Sequence, residues 1–170
     1  NRCRRQRQMC IRDRSNSYYS SRNEYLDAIA TAMQEEYETI VNAGIQLQLD
    51  CPDLALSRHM TFKNESDEDF IKIANHNMEI LNESLKNIPS NKLRLHVCWG
   101  NYEGPHIHDI SIDKIFEVLM SFKGNYLLFE SSNPRHQHEW EIFEKLKSKI
   151  PENKILIPGV LDTTSNFVEP

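Results

Sequence analysis

Four short aliphatic segments, separated by longer segments with helical spacing, constrain the fold of this chain more than any other feature. They cover residues 45–50, 93–98, 125–130 and 154–158. Each has the length of a buried strand and lies near turn or breaker residues. Strands that alternate with helices predict a parallel sheet joined by right-handed crossovers, so the predicted fold class is α/β.

The helical segments are marked by apolar residues that recur every three or four positions. One ends before Gly44, a typical residue just beyond a helix, and the next follows Ser66, a favourable N-cap residue. The predicted element order is α-β-α-β-α-β-α-β. Both tryptophans, Trp99 and Trp140, are assigned to the core or to a pocket wall.

Two architectures fit this order: an open doubly wound sheet, or part of a (β/α)8 barrel. Neither G-x-G-x-x-G nor G-x-x-x-x-G-K-[ST] occurs at a strand-to-helix turn, so a nucleotide-binding open sheet loses support. A complete barrel needs ~250 residues, so four strands would make up about half of one.

Charge and composition limit the partners. Residues 1–14 contain six arginines and one aspartate, whereas the rest of the chain is acidic. The basic segment is either a nucleic-acid-binding arm or, since it resembles a translated sequencing adapter, an artefact or disordered end. We exclude it and place the domain in residues 15–170. The acidic remainder argues against nucleic-acid partners, and no apolar run reaches the ~18 residues of a membrane span. Four unevenly spaced cysteines argue against a disulfide framework, so a cytoplasmic location is expected.

Side chains that can take part in chemistry lie at the end of each predicted strand or, for the fourth strand, shortly after it. They are Asp50, His96, Cys98, Glu130 and Asp162. The carboxyl ends of parallel strands meet at one edge, where ligands bind, so these groups are expected to converge.

His96 and Cys98 form the sharpest part of this pattern. Strand residues two apart share a face, so an imidazole and a thiol lie side by side there, as a zinc site requires. The alternative is a core cysteine beside a histidine whose hydrogen bonds are satisfied. Glu130 favours the metal, because a carboxylate that ends an apolar strand is costly without a cation. We therefore predict His96, Cys98 and Glu130 as Zn²⁺ ligands.

A second polar group follows the third strand. Arg135, His136 and His138 lie at the predicted start of a helix, where a helix N-terminus suits an anionic substrate group. The alternative is a solvated cap. A further pair, His106 and His108, lies in a polar loop and is a weaker metal candidate.

Four motifs in order carry a resemblance to a known family. They are LQLDCPDLA at 47–55, HVCWGNYEGPH at 96–106, ESSNPRHQHEW at 130–140 and IPGVLD at 157–162. Together they resemble cobalamin-independent methionine synthase and, more closely, its short single-barrel relatives in the methionine synthase/uroporphyrinogen decarboxylase-like superfamily. The resemblance implies a (β/α)8 barrel, of which this chain would be about the second half, without the last strand.

The resemblance also implies roles for particular residues. It places zinc on His96, Cys98 and Glu130, with a further cysteine ligand beyond Pro170, and it makes Asp50 the contact of the substrate amino group. Asp162 belongs to a motif that carries a catalytic histidine in true methionine synthases, and here Thr164 stands in the histidine position. We keep Asp162 as the candidate catalytic residue, and the departure at Thr164 puts methyltetrahydrofolate chemistry in doubt.

The implied activity is zinc-dependent methyl or alkyl transfer to a thiol. The partners would be a small thiol, homocysteine or a coenzyme M-like compound, and an alkyl donor. Three alternatives are an epoxyalkane:coenzyme M transferase-like enzyme, a uroporphyrinogen decarboxylase-like enzyme and an inactive barrel fragment. From the open sheet expected of a half-barrel, we expect residues 1–170 alone to be aggregated or molten, to bind zinc weakly and to show no alkyltransferase activity.

Overall fold

A computed structural model describes residues 16–101, 104–162 and 165 of the chain, so the expectations for residues 1–14 and for Thr164 lie outside it. The helices are α1 (Arg22–Asn42), α2 (Leu56–Met60), α3 (Asp67–Ser84), α4 (Ile112–Met120) and α5 (Trp140–Lys145). The strands are β1 (Leu47–Asp50), β2 (Leu93–Val97), β3 (Tyr126–Phe129) and β4 (Ile155–Pro158). Short 3-10 turns lie at Pro52–Leu54, Ser90–Lys92, Gln137–Glu139 and Lys147–Lys149.

The four strands form one sheet in the order β1-β2-β3-β4, and every neighbouring pair is parallel. The predicted parallel α/β arrangement is therefore confirmed. The short helix α2, which the sequence pattern did not reveal, lies between β1 and α3. Closure of the sheet into a barrel stays a prediction.

Alternation along the strands separates the two faces of the sheet. Leu49, Leu95 and Leu127 point to the helical side and are buried there. The residues that follow Leu49 and Leu95, Asp50 and His96, lie on the opposite face and are half-buried. The period of two in a strand thus places the core on one side and polar chemistry on the other.

The helices end and begin where local chemistry predicts. The Ser66 hydroxyl accepts a hydrogen bond from the Asp69 backbone N–H at the start of α3. Gly44 has a φ of 81° just beyond α1, a conformation that favours glycine. Among the described residues, no helix combines the length and the hydrophobicity that a membrane span requires.

The two tryptophans behave differently. Trp99 is fully buried in the core, as expected, but Trp140 is 56% exposed, and its assignment to the core or a pocket wall was wrong. The reason is the shape of the segment: α5 has six residues, and Phe143 fills its buried position instead. A helix this short presents too few buried positions to cover both aromatic rings.

Candidate metal centre at the carboxyl edge of the sheet

A polar cleft of about 570 Å³ lies at the carboxyl ends of the strands. All four strands or the residues that follow them contribute to it. Its lining consists of Gln48, Asp50, His96, Cys98, Asn101, Leu128, Phe129, Glu130, Ile157, Pro158, Gly159 and Leu161. Four of the five strand-end groups singled out in the sequence therefore line one cleft, and the fifth, Asp162, directly follows a lining residue.

Three potential metal ligands converge inside this cleft. Asp50 and His96 are register partners on β1 and β2, and His96 Nδ1 lies 2.7 Å from Asp50 Oδ1. Cys98 follows on the same face of β2. Ligand atoms of Asp50, His96 and Cys98 all lie within 4.8 Å of one another, and no other such group of three occurs in the described part of the chain.

The Cys98 thiol is held in its protonated form. Burial raises its pKa, the nearby carboxylates of Asp50 and Glu130 add to the rise, and a hydrogen bond with the Gly100 backbone opposes it, so that the resulting pKa is about 11. A bound divalent cation reverses this preference, because it stabilises the thiolate directly. Imidazole, thiolate and carboxylate are also the donors that zinc accepts, so these residues fit a zinc ion.

Glu130 follows β3 and lines the same cleft, outside the tight three-ligand group. Burial raises the pKa of its carboxyl, while the charges of His136 and Arg135 and a hydrogen bond with Asn133 oppose the rise. The nearby Asp162 carboxylate adds to it. The predicted ligand set of His96, Cys98 and Glu130 stays a prediction, and the structure adds Asp50 as a close neighbour of the first two.

Asn133 is a polar residue near the cleft that the sequence reasoning did not single out. Its side chain is buried, its Oδ1 accepts a hydrogen bond from the Arg135 backbone N–H, and its Nδ2 lies 3.5 Å from Asp162 Oδ1. The residue thus ties the loop after β3 to the loop after β4. Its position three residues beyond Glu130, directly before a proline, was the available sequence signal.

The candidate anion-binding residues occupy different environments. His138 is exposed, Arg135 is half-buried, and His136 is buried; none of them lines the cleft. His136 contacts Glu139 through Nδ1 at 3.0 Å and Asp109 through Nε2 at 3.3 Å, and its ring stacks on Trp99. Their role in substrate binding stays a prediction.

The same network includes the alternative metal pair. His106 Nδ1 lies 2.9 Å from Asp109 Oδ2, and its ring stacks on His59 at 4.9 Å. Asp109 therefore contacts two histidines, His106 and His136. We call His106, Asp109, His136 and Glu139 the histidine–carboxylate network. Sequence spacing pointed to its histidines, but Asp109 and Glu139 carried no pattern of their own.

This network predicts a pH-dependent stability. Burial alone would lower the pKa of His136, but hydrogen bonds with Asp109 and Glu139 and their charges raise it to about 9. The folded-state pKa thus exceeds the ordinary ~6.5, so the stabilisation is complete below pH ~6.5 and is lost as pH rises through the folded pKa. The free energy of unfolding is expected to fall by up to ~1.4 kcal/mol per pH unit from pH ~6.5. Urea unfolding with EDTA, compared between pH ~6.5 and ~8, measures this loss.

Lys154 sets the upper limit of the pH range over which this fall in the free energy of unfolding is expected. Burial lowers its pKa to about 8, so above that pH the unfolded chain holds more protons at this residue and stability changes in the opposite direction. His136→Gln is expected to flatten the pH dependence, and His138→Gln, at an exposed neighbour, is expected to preserve it. An equal slope in wild type and His136→Gln would contradict the assignment.

Cys51 lies next to Asp50 but on the other side of the sheet. It is 2% exposed and belongs to the core, and its backbone N–H donates to the His96 carbonyl at 2.9 Å. Cys51 and Cys98 form no disulfide within the described part of the chain. The two cysteines therefore differ in surroundings: one packs behind β1, and the other faces the cleft.

Known proteins with similar sequences share one name. Methionine synthase of Saccharolobus solfataricus is 28% identical over 157 residues, which cover 91% of this chain and 38% of the relative. Methionine synthase of Sulfurisphaera tokodaii is 30% identical over 110 residues, or 63% of this chain and 28% of the relative. Methionine synthase of Saccharolobus islandicus is 28% identical over 103 residues, or 59% and 27%.

These matches support a methionine-synthase-related family for the chain. The matched regions span between 27% and 38% of the length of these relatives. No protein-family model matches the chain, and no solved structure matches it at a significant level.

Proposed function

We propose that this chain is part of a zinc-dependent enzyme that transfers a methyl or alkyl group to a thiol, as in methionine synthesis. The observation that carries the proposal is the convergence of Asp50, His96 and Cys98 within 4.8 Å in a cleft at the carboxyl edge of a parallel sheet. The names of the relatives point to the same chemistry.

Each residue of the candidate site would have a role that follows from its side-chain chemistry. His96 and Cys98 would hold the ion, and Glu130 would supply a carboxylate from the next strand. When bound, zinc stabilises a substrate thiol as its thiolate at neutral pH, which makes it a better nucleophile. The protein's part is to place that sulfur in the cleft and to keep competing water away.

Substrate recognition would use charged groups around the cleft. Asp50 and Asp162 offer negative charge to a cationic group such as the amino group of homocysteine, and Arg135 offers positive charge to a carboxylate or sulfonate. We also propose that the sheet is a segment of a (β/α)8 barrel, because strands adjacent in sequence are adjacent and parallel in space.

Metal analysis combined with X-ray absorption tests the proposal. The full-length protein that contains this chain is expected to bind one zinc with at least one sulfur ligand. Homocysteine is expected to add one further sulfur to the zinc, because its thiolate displaces an oxygen or nitrogen ligand. Methionine, which lacks a free thiol, is the matched control and is expected to add none. Absence of zinc, or a zinc bound without sulfur, would overturn the proposal.

The same measurement separates the two thiol classes. An added sulfur with coenzyme M but not with homocysteine would move the chain to the alkyl-coenzyme M branch. An unchanged zinc environment with both thiols would contradict thiol activation and leave a structural zinc site.

A further inference from the structure

The contact between Asp50 and His96 assigns a role to Asp50 that differs from substrate binding. The two residues are register partners on adjacent parallel strands, and their side chains lie on the same face of the sheet. Just beyond this pair, the Cys51 backbone N–H donates to the His96 carbonyl at 2.9 Å, which ties the two strands together. The backbone thus holds the two side chains at a fixed separation.

The atoms in contact determine which ring nitrogen remains for a metal. His96 Nδ1 lies 2.7 Å from Asp50 Oδ1, a short hydrogen bond to a carboxylate. A carboxylate is an acceptor, so Nδ1 carries the proton. A ring nitrogen that donates a proton in this way cannot coordinate a metal at the same time, and Nε2 is therefore the nitrogen with a free lone pair.

We infer that Asp50 is a positioning residue, which fixes the Nδ1–H tautomer and the ring orientation of His96 so that Nε2 coordinates the metal held with Cys98. The inference deepens the proposed function and rests on it for the identity of the metal. Carboxylates that accept from a metal-bound histidine also raise the basicity of the coordinating nitrogen.

Partial burial makes this hydrogen bond effective. The side chains of His96 and Asp50 are 34% and 28% exposed, so water competes for the contact less than it does at an open surface. Gln48, two residues earlier on β1, lines the same cleft and is the natural control, because it shares the strand and the face.

The first experiment measures zinc affinity by competition with a chelator, without any substrate. Asp50→Asn and Asp50→Ala are expected to weaken zinc binding by about 10-fold to 100-fold, with the alanine variant weaker, because asparagine still accepts a hydrogen bond through its side-chain oxygen. Gln48→Ala is expected to change the affinity less than about twofold, as is usual for a residue outside the ligand shells. Equal affinity in wild type and Asp50→Ala would overturn the inference.

A second readout separates positioning from direct coordination. With Co²⁺ in place of zinc, Asp50→Asn is expected to keep the thiolate-to-cobalt absorption and the d–d bands of the wild type, because the ligands themselves are unchanged. A changed d–d spectrum in this variant would mean that Asp50 is itself a ligand, and it would overturn the positioning role.

A third readout needs no metal, so it remains informative if the proposed function fails. In metal-free protein, ¹⁵N NMR of the histidine ring is expected to show His96 with its proton on Nδ1, and Asp50→Ala is expected to shift the population toward the Nε2–H tautomer. A wild-type ring that is mainly Nε2–H would refute the inference even if zinc binds with sulfur. Conversely, a chain that binds no zinc but shows the Nδ1–H tautomer would refute the proposed function and keep the orientation of His96.

Discussion

In the full-length protein, replacing Cys98 with serine is expected to lower the zinc affinity by about 1000-fold or more, equivalent to ~4 kcal/mol of binding free energy. The thiolate is the softest donor in the group of Asp50, His96 and Cys98, and zinc binds it far more strongly than a serine hydroxyl, which stays protonated at neutral pH. Competition with a chelator of known affinity measures the change, and cobalt absorption reports the loss of the sulfur ligand.

Cys51→Ser is the matched control, because it makes the same chemical change one residue from Asp50. Cys51 is buried on the helical side of the sheet, so its substitution is expected to lower stability by ~1–3 kcal/mol and to leave zinc affinity nearly unchanged. Wild-type affinity in Cys98→Ser, or a greater loss in Cys51→Ser, would contradict the metal site. Glu130→Gln is expected to cost less affinity than Cys98→Ser if substrate thiol displaces that carboxylate.

Truncation of Trp99 to alanine is expected to destabilise the chain by ~3–5 kcal/mol. The ring is fully buried, its Nε1–H donates to the Ile110 carbonyl at 2.7 Å, and it stacks on His136 with a centroid separation of 4.2 Å. Truncation of the Trp99 side chain leaves a cavity, takes the hydrogen bond away from the Ile110 carbonyl and removes the ring that stacks on His136. For a domain of this size such a loss corresponds to a fall in the melting temperature of about 6–20 °C.

Two further variants separate the effect of burial on stability from the effect of the hydrogen bond. Trp99→Phe keeps most of the packing and loses the hydrogen bond, so a cost of ~1–3 kcal/mol is expected. Trp140→Ala truncates the other tryptophan, which is 56% exposed, and is expected to change stability by less than ~1 kcal/mol. Equal losses at Trp99 and Trp140 in urea unfolding would show that the burial pattern described here is wrong.

The types of the main elements and the position of the candidate site follow from local patterns in the sequence. The aliphatic segments are too short to form buried helices, and they alternate with segments that have helical spacing. This pattern is typical of a parallel sheet covered by helices. Because such a sheet has one carboxyl edge, polar residues at the strand ends had to converge. Asp50, His96, Cys98 and Glu130 accordingly line one cleft.

Which of these side chains are in contact depends on how the strands pair, and no local pattern in the sequence shows it. Register between β1 and β2 pairs Asp50 with His96, and a shift of one residue would have separated them, yet register depends on packing of the whole sheet rather than on either strand. Asp109 lies 27 residues before His136 in the chain and contacts it for the same reason, whereas the contact of His136 with Glu139, three residues away, is local. Trp140 remains exposed because α5 is too short to bury it. The apolar spacing in the sequence did not show how short this helix is. Periodicity is a local property of the chain, whereas register and side-chain contacts are set by every element packed together.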